Sequence, residues 1–221
     1  MSKFYSVKTG KVPGIYTDWK SCEQQVKGYP HAVYKSFKTL EEAQQFINSS
    51  DNVNTISHTS ELDKALNFIK SIPNKDIICY TDGSAKGNPG ESGSGVYIVW
   101  PNNSYETTLG KYLGKSTNNI AELTAIKTAL QTIDIMILTY PEIITTDTQL
   151  YILTDSEYSL NAVTGNIRVN TNVELINSIK LLIKNYKFKI NIHWIPAHSG
   201  IPGNEKANDL AEKSAIDKKD F

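Results

Sequence analysis

The stretch Ile77-Ile78-Cys79-Tyr80-Thr81-Asp82-Gly83 decides the fold of the larger part of this chain of 221 residues. Its β-branched and aromatic residues predict a buried strand that runs into an acidic residue and a glycine. A second apolar run, over residues 150–153, leads in the same way into Thr154 and Asp155. If the two strands are parallel neighbours, both carboxylates emerge at one edge of the sheet, where open α/β sheets bind ligands.

Apolar periodicity on either side of these strands predicts an α/β domain over residues 76–221, with a mixed sheet of five strands and flanking helices. Three strands come first, followed by helix, strand, helix, strand and helix. The further elements are predicted as strands over 93–100 and 104–113, a helix over 120–133, a helix from Val173, a strand over 188–194 and a last helix around Leu210.

Residues 1–47 predict a separate, small α/β domain. Phe4-Tyr5-Ser6-Val7 and Ala32-Val33-Tyr34 are strand candidates, and apolar residues recur at helical spacing from Trp19. Thr39-Leu40-Glu41-Glu42 has the pattern of a capping box, which opens a second helix. The unit therefore reads as strand, helix, strand and helix.

Two segments are predicted to be connections. Residues 48–75 are rich in Asn, Ser, Thr and Asp, and we interpret them as a linker that holds a short helix over 61–72. Residues 134–149 are predicted as an unusually long loop, to which the sequence assigns no role.

The composition fits a folded, soluble protein, with 39% hydrophobic and 21% charged residues. There is no apolar run of about 18 residues that could span a membrane, and the N-terminal residues lack the apolar stretch of a secretory signal. Cys22 and Cys79 are too few for a disulfide scaffold. We expect an intracellular protein of the cytoplasm or nucleus that is not secreted, has no membrane partner and is a monomer.

The net charge of zero argues at first against a nucleic-acid partner, because phosphate binding normally requires excess Lys and Arg. The charge is unevenly distributed, however. Residues 1–47 hold seven lysines against four acidic residues, a balance of +3, which leaves −3 for the rest of the chain. Bound divalent cations would reverse the local sign where acidic residues cluster. Net charge therefore neither supports nor excludes a nucleic-acid partner.

Three acidic residues are predicted to converge at the sheet edge. Glu122 lies in the first turns of the intervening helix, from where its side chain can reach the same edge of the sheet as Asp82 and Asp155. Three carboxylates repel one another unless a cation joins them, and hard oxygen ligands suit Mg²⁺ or Mn²⁺. Each signal is weak by itself: Asp82-Gly83 also fits a turn, Asp155-Ser156 a helix cap, Glu122 a solvated helix residue and His198 a surface loop.

Four motifs, taken in order, resemble the ribonuclease H family of the type 1 class over residues 77–216. They are Tyr80-Thr81-Asp82-Gly83-Ser84-Ala85-Lys86-Gly87-Asn88-Pro89-Gly90, Ser116-Thr117-Asn118-Asn119-Ile120-Ala121-Glu122-Leu123, Thr154-Asp155-Ser156, and His198-Ser199-Gly200 with Gly203-Asn204-Glu205. The resemblance implies a ribonuclease H-like fold and an endonuclease that cuts the RNA strand of RNA–DNA hybrids, leaving 3′-hydroxyl and 5′-phosphate ends.

The same resemblance implies a mechanism with two Mg²⁺ ions, or Mn²⁺, roughly 4 Å apart and held by Asp82, Glu122 and Asp155. One ion would activate the attacking water and the other would stabilise the leaving 3′ oxygen, while His198 would move protons or help to release product. It further implies contacts with the minor groove of the hybrid, where the 2′-hydroxyl distinguishes RNA from DNA. The residues at the matching positions are Asn88, Asn118 and Asn119.

The chain departs from the family pattern at its last acidic position. Asn208 stands where the family has a fourth carboxylate, and Asp209 follows one residue later. Because one helix step turns a side chain by about 100°, Asp209 cannot be assumed to replace it. Either residue is a candidate for the fourth position of the metal site, and we expect weaker metal affinity rather than inactivity. Glu157 stands where the family often has an amide or a basic residue, which puts one substrate contact in doubt. The segment between Asp155 and Thr171 is too short for the basic, Trp-bearing protrusion with which some members hold substrate.

Residues 1–47 resemble the small hybrid-binding domain of eukaryotic type 1 enzymes, which is related to the viroplasmin domain of caulimoviruses. The resemblance implies DNA-strand contacts by stacking at Trp19 and Tyr34, a phosphate contact at Lys35 and a nearby Tyr5, with double-stranded RNA as a further possible ligand. Ser36 stands where a second lysine is common. The alternative is that Trp19 and Tyr34 only fill the small core.

Two other functions are compatible with parts of the sequence. The first is a protein that binds hybrids or double-stranded RNA and has a weakened nuclease site, which Asn208 favours and the intact Asp82, Glu122 and Asp155 oppose. The second is another nuclease on the same fold, which the Asp82-Gly83-Ser84 motif opposes. Physiological role and organism, cellular or viral, stay open: primer removal, R-loop clearance and viral replication need the same chemistry.

Overall fold

The computed structural model of the protein describes residues 3–27, 29, 32–48 and 55–221. By its internal contacts the chain divides into two compact units, Met1–Ser60 and Glu61–Phe221. We refer to them as unit 1 and unit 2.

Unit 1 is built on a three-stranded antiparallel sheet with strand order β2-β1-β3. Its elements are β1 (Phe4–Thr9), β2 (Gly14–Tyr16), α1 (Trp19–Val26), β3 (Val33–Phe37) and α2 (Leu40–Asn48). The sequence predicted four of these and missed β2, which pairs with β1 through Tyr5 and Tyr16. A three-residue strand is too short for its apolar alternation to be read from the sequence.

Side-chain hydrogen bonds cap the N-termini of α1 and α2. The backbone N–H of Ser21 donates to Asp18 Oδ1 over 2.9 Å at the start of α1. At the start of α2, Thr39 Oγ1 accepts from the N–H of Glu42, and Glu42 Oε2 accepts from the N–H of Thr39, each over 3.3 Å. The capping box predicted there is confirmed.

Unit 2 contains a mixed five-stranded sheet with strand order β6-β5-β4-β7-β8. Its elements are α3 (Thr55–Ser71, which begins in unit 1), β4 (Ile77–Gly87), β5 (Gly90–Val99), β6 (Glu106–Ser116), α4 (Asn118–Thr139), β7 (Leu150–Thr154), α5 (Glu157–Thr164), α6 (Val173–Asn185), β8 (Ile190–Trp194) and α7 (Pro202–Asp217). The strands β4, β7 and β8 are parallel, and β5 and β6 extend the sheet antiparallel. The predicted fold class is confirmed.

Two apolar clusters stabilise the sheet of unit 2. The larger cluster joins the sheet to α4 and α6 through fully buried side chains such as Trp100, Ile126 and Ile179. The smaller cluster joins it to α3 and α7, with Leu153 and Ala207 fully buried. Because each large apolar side chain that is fully buried contributes about 1.5–3 kcal/mol, this packing fixes the strands that carry the acidic residues.

Three segments differ from the sequence-based expectation. The helix α3, predicted as a short helix over 61–72 inside a linker, is longer, and Ala65 is buried against side chains of the five-stranded sheet. The predicted loop 134–149 begins as helix, because α4 continues to Thr139 with Ile135 and Leu138 on its exposed side. Because apolar residues lie on all sides of the last turns of α4, the sequence shows no helical periodicity there. The short helix α5 was also missed.

No helix within the described ranges combines the length and the apolar character needed to cross a membrane.

Candidate active site

The parallel pairing of β4 with β7 brings Asp82 and Asp155 to the same edge of the sheet. The last paired residues of this ladder are Thr81 and Thr154, so each acidic residue directly follows the last residue that pairs in it. Asp82 does not end its strand as expected, because β4 stays paired with β5 as far as Gly87. The predicted juxtaposition of the two carboxylates is nevertheless present.

Glu122 comes to this edge from the first turns of α4. The helix begins after Thr117, whose hydroxyl accepts from the N–H of Ile120 over 3.4 Å. A side chain at Gly83 would place a Cβ 2.3 Å from the backbone nitrogen of Glu122, so only glycine lets α4 approach β4 this closely. The glycine after Asp82 is therefore required by packing and not by a turn.

The three carboxylates form a compact and largely buried cluster. One oxygen of each of Asp82, Glu122 and Asp155 lies within 4.8 Å of the others, and Asp82 and Glu122 are only 5% and 4% exposed. Burial, followed by repulsion from Asp155, raises the pKa of Asp82 from 3.8 to about 7, against the opposing hydrogen bond from the N–H of Gly83. Burial and repulsion from both neighbours also raise the pKa of Glu122 well above its usual value.

This cluster fits divalent cations. Glu122 Oε2 is buried and has no hydrogen-bond partner, and an unpaired buried acceptor is costly unless something binds it. The ligand oxygens are hard and anionic, which favours Mg²⁺, Mn²⁺ or Ca²⁺ over softer ions. Binding a cation would offset both the repulsion and the desolvation that raise the two pKa values.

Helix α7 presents a row of polar side chains to the same edge. Asn204 Nδ2 donates to Asp155 Oδ2 over 3.1 Å, while Asn204 Oδ1 is buried without a partner. Asn208 and Glu212 follow at intervals of four residues, which places them on the same helix face, and both line the cleft above the carboxylates. Asp209 is exposed and does not line this cleft.

The cleft has a volume of about 400 Å³ and is open to solvent on one side. His198 lines it from the loop after β8, in the left-handed backbone region at φ 46°. The loop is held by a hydrogen bond from the N–H of Gly200 to Glu205 Oε1 over 3.1 Å. On the opposite side, Lys86 of β4 forms an ion pair of 2.7 Å with Glu212.

The asparagines predicted to contact substrate surround the start of α4. Asn118 lines the cleft, and its backbone N–H donates to Asn88 Oδ1 over 3.2 Å. Asn119 is exposed beside it in the first turn of α4. The structure thus brings Asn88 and Asn118 together, with Asn119 as the next residue of the helix.

In unit 1 the predicted stacking residues form one aromatic cluster. The ring centroids of Tyr5 and Trp19 are 5.7 Å apart, and those of Trp19 and Tyr34 are 5.9 Å apart. Trp19 and Tyr34 are 44% and 45% exposed. Neighbouring residues of a strand point to opposite faces, so Lys35 is not on the face of Tyr34; its ammonium lies 5.8 Å from the Phe37 ring.

Sequence reasoning assigned no role to Asn204, Glu212 or Lys86. The spacing of Asn204, Asn208 and Glu212 at i, i+4 and i+8 was the available signal, because it defines one helix face. The proximity of Lys86 to Glu212, which are 126 residues apart in the chain, has no counterpart in any local pattern.

Comparisons with known proteins agree with this geometry. A family model described as RNase H matches residues 74–216, and a model described as the ribonuclease H1 N-terminal domain matches residues 3–47. The chain belongs to the ribonuclease H family. Members of this family are metal-dependent, as the carboxylate cluster implies.

Some relatives cover nearly the whole chain and others about two thirds of it. Ribonuclease H of Saccharomyces cerevisiae is 28% identical over 243 residues, which cover 96% of this chain and 68% of the yeast protein. Ribonuclease H1 of Mus musculus is 24% identical, with coverage of 100% and 92%. Ribonuclease H of Tropheryma whipplei strain Twist is 32% identical over 158 residues, which cover 64% of this chain and 86% of the bacterial protein.

Solved structures share the fold of unit 2. LC11-RNase H1, isolated from compost by a metagenomic approach, is 29% identical with a TM-score of 0.53 and covers 65% of this chain and 97% of that one. The same enzyme in complex with an RNA/DNA hybrid is 30% identical with a TM-score of 0.52, and coverage is 65% and 98%.

Proposed function

We propose that the protein is an endonuclease that hydrolyses the RNA strand of RNA–DNA hybrids with two Mg²⁺ ions, which Mn²⁺ can replace. The observation that carries the proposal is the cluster of Asp82, Glu122 and Asp155 at the base of an open cleft, with ligand oxygens within 4.8 Å of one another. Of the chemistries that such a cluster supports, phosphodiester hydrolysis fits a cleft lined by amide side chains and His198.

In the proposed reaction, different residues of the protein bind the ions, orient the ligands and transfer protons. When bound, the two ions supply charge neutralisation at the scissile phosphate and acidify the attacking water. Asp82, Glu122 and Asp155 would hold the ions, and Asn204 orients Asp155 through the 3.1 Å hydrogen bond to Oδ2. His198 is exposed at the mouth of the cleft, where its imidazole can accept or deliver a proton as product leaves.

Asn208 occupies the fourth position in this scheme. It lines the cleft, whereas Asp209 does not. Its amide oxygen can accept a hydrogen bond or bind a cation but contributes no negative charge. We therefore propose Asn208, and not Asp209, as the fourth residue of the metal site, with an increased Mg²⁺ requirement as the consequence.

Recognition of the hybrid is assigned to two groups of residues. Asn88, Asn118 and Asn119 offer amide donors and acceptors beside the cleft, suited to the 2′-hydroxyls and base edges of a wide minor groove. In unit 1, Trp19 and Tyr34 present exposed rings for stacking, with the Tyr5 ring beside Trp19. Lys35 lies on the other face of β3 and is proposed only as a phosphate contact at that edge strand.

A cleavage assay tests the proposal directly. Labelled RNA–DNA hybrid, duplex DNA and duplex RNA are incubated with the protein in Mg²⁺, Mn²⁺ or EDTA, and the products are resolved on a gel. We expect cleavage of the RNA strand of the hybrid alone, dependent on the metal, with 3′-hydroxyl ends. Binding of hybrid or duplex RNA without cleavage in either metal would instead support a binding protein.

Two further properties accompany this proposal. We propose a monomer, which light scattering of the purified chain tests against a dimer. We also propose an intracellular location in cytoplasm or nucleus, which imaging of a tagged chain in its own cell tests against secretion.

A further inference from the structure

The rim of the cleft carries a cation to which the chemistry above gives no role. Among the cleft-lining residues that the structure describes, Lys86 is the one with a permanent positive charge. It lies near the end of β4, two residues before Asn88. Its ammonium is turned towards α7, where it meets Glu212 over 2.7 Å.

This ion pair does little for the stability of the fold. The Lys86 and Glu212 side chains are 43% and 45% exposed, and ion pairs this exposed contribute little to stability because water screens them. Cross-strand pairing places Glu91 directly opposite Lys86. Glu91 is bound instead by Lys218 over 3.0 Å and by the hydroxyl of Tyr112. Lys86 is thus paired across the cleft rather than along the hairpin.

Under the proposed function, the occupant of the cleft is a nucleic acid and therefore a polyanion. A lysine ammonium binds phosphate as a point charge, without requiring one fixed geometry. Because the pair with Glu212 is weak and solvated, a substrate phosphate can replace the carboxylate at low cost. Glu212 would then lie unpaired beside a phosphate, so it opposes the exchange.

We propose that Lys86 binds a phosphate of the strand being cut, and that Glu212 holds the ammonium over the cleft in the free protein and competes with that phosphate. This inference rests on the proposed function, since the phosphate belongs to the nucleic acid in the cleft. It makes Lys86 a substrate-contact residue and Glu212 a residue that tunes affinity through it.

The test is the salt dependence of kcat/KM for cleavage of a short RNA–DNA hybrid by the full chain. Only hybrid seated in the cleft is cut, so binding elsewhere does not contribute to the chemical step. We expect Lys86→Met to lower kcat/KM by about tenfold at moderate salt. Because one phosphate contact is lost, the plot of log kcat/KM against log salt should become shallower by about 0.7–0.9. Lys86→Arg should restore both quantities.

Glu212→Gln is the second variant to be measured in the same assay. With Lys86 present, removal of the competing carboxylate should raise kcat/KM by roughly three- to fivefold, the size of a weak exposed pair. In the Lys86→Met background the same change should have a much smaller effect, because the cation it competes for is gone. Such dependence distinguishes competition for Lys86 from a general reduction of negative charge.

The matched control is Lys75→Met at the opposite end of β4. Lys75 is likewise an exposed lysine, paired with Asp147, and lies before the strand rather than at the cleft. The Lys75→Met substitution should leave the slope of log kcat/KM against log salt unchanged. A Lys86→Met slope equal to that of the Lys75→Met control, or equal effects of Glu212→Gln with and without Lys86, would overturn the inference. Absence of cleavage by the unaltered chain would instead refute the proposed function.

Discussion

In unit 2, Asp82 and Glu122 are 5% and 4% exposed although their working form is charged, whereas in unit 1 Trp19 and Tyr34 are apolar and are 44% and 45% exposed. Both arrangements reverse the usual distribution, in which charged side chains face water and large apolar ones do not. Each is costly without a ligand. The acidic cluster requires a cation to offset its repulsion. The aromatic cluster is stabilised when a flat, apolar partner covers the exposed rings and removes them from water.

The comparison separates two kinds of function. The buried carboxylates at the sheet edge of unit 2 can support hydrolysis of a phosphodiester bond once they bind divalent ions. Exposed rings in unit 1 can add affinity, and among the described residues of that unit no three acidic, histidine or cysteine side chains converge as a metal site. Changes in the acidic cluster should therefore alter the rate, and changes in the aromatic cluster should alter affinity.

The largest effect is expected from Asp82→Asn. The amide keeps the shape but removes one negative charge from the metal ligands, so kcat on hybrid should fall by at least about a thousandfold. Hybrid affinity in the same assay should change by less than about threefold if unit 1 supplies most of it. Steady-state cleavage and filter binding measure the two quantities, and retention of more than a tenth of the rate would contradict the role of Asp82.

The stability of the metal-free protein should fall as pH rises. The pKa of Asp82 is 3.8 in its unperturbed form and about 7 in the fold, so between these values the folded protein holds a proton that the unfolded chain releases. The free energy of unfolding should therefore decrease by on the order of a few kcal/mol from pH 4 to pH 7.

Addition of Mg²⁺ at pH 7 should restore much of this loss, because the ion binds the folded state alone. Urea unfolding at several pH values, with EDTA or Mg²⁺, measures both effects. In Asp82→Asn the decrease with pH should be smaller, and the part that remains should come from Glu122, whose pKa burial also raises. If the free energy of unfolding of the metal-free protein stays constant or increases from pH 4 to pH 7, the fold does not raise the pKa of Asp82.

Asn204→Ala should reduce kcat by about 10- to 100-fold, the range typical of residues that orient metal ligands. The variant loses the hydrogen bond to Asp155 Oδ2 but no carboxylate, so added Mg²⁺ should recover part of the rate. Asn185→Ala, at an exposed asparagine that ends α6, is the control. Equal activity of the two variants would exclude an orienting role.

Trp19→Ala should weaken hybrid binding by about tenfold, since stacking of one base on an aromatic ring contributes about 1–3 kcal/mol. The rate on a saturating short hybrid should stay the same. Val12→Ala, at a residue of unit 1 that is 57% exposed, is the control for loss of apolar surface. A parallel loss of affinity and thermal stability would mean that Trp19 mainly packs unit 1.

The smallest effect is expected from Asn208→Asp. Restoring a carboxylate beside the metal ligands should lower the Mg²⁺ concentration for half-maximal activity by a few-fold, through added electrostatic attraction. Asp209→Asn, one step away on the exposed side of α7, should leave it unchanged. If the second change raises the requirement and the first does nothing, Asp209 is the fourth residue.

Local patterns in the sequence predicted most of the fold. The strand before Asp82, the strand before Asp155 and the period of α4 were sufficient to predict their convergence, because parallel strands end at one edge of a sheet. Periodicity failed where α4 becomes apolar on all sides after Ile133 and where β2 is only three residues long. Burial of α3 against unit 2 depends on a tertiary surface, which no local pattern describes.

The candidate site was predictable only in part for the same reason. Asp82, Glu122 and Asp155 each follow a recognisable strand or helix start. Contacts such as Asn204 with Asp155 and Lys86 with Glu212 join residues 49 and 126 positions apart. They depend on how α7 crosses the sheet, which side-chain packing decides and sequence spacing alone does not.

The most direct test of the central claim is a crystal structure of the full chain grown in Mn²⁺, with anomalous scattering to locate the ion. We predict anomalous density between the carboxylates of Asp82, Glu122 and Asp155, at bond lengths of about 2.0–2.3 Å. Density elsewhere, or none at this cluster at saturating Mn²⁺, would contradict the assignment of these side chains as the metal-binding centre of the enzyme.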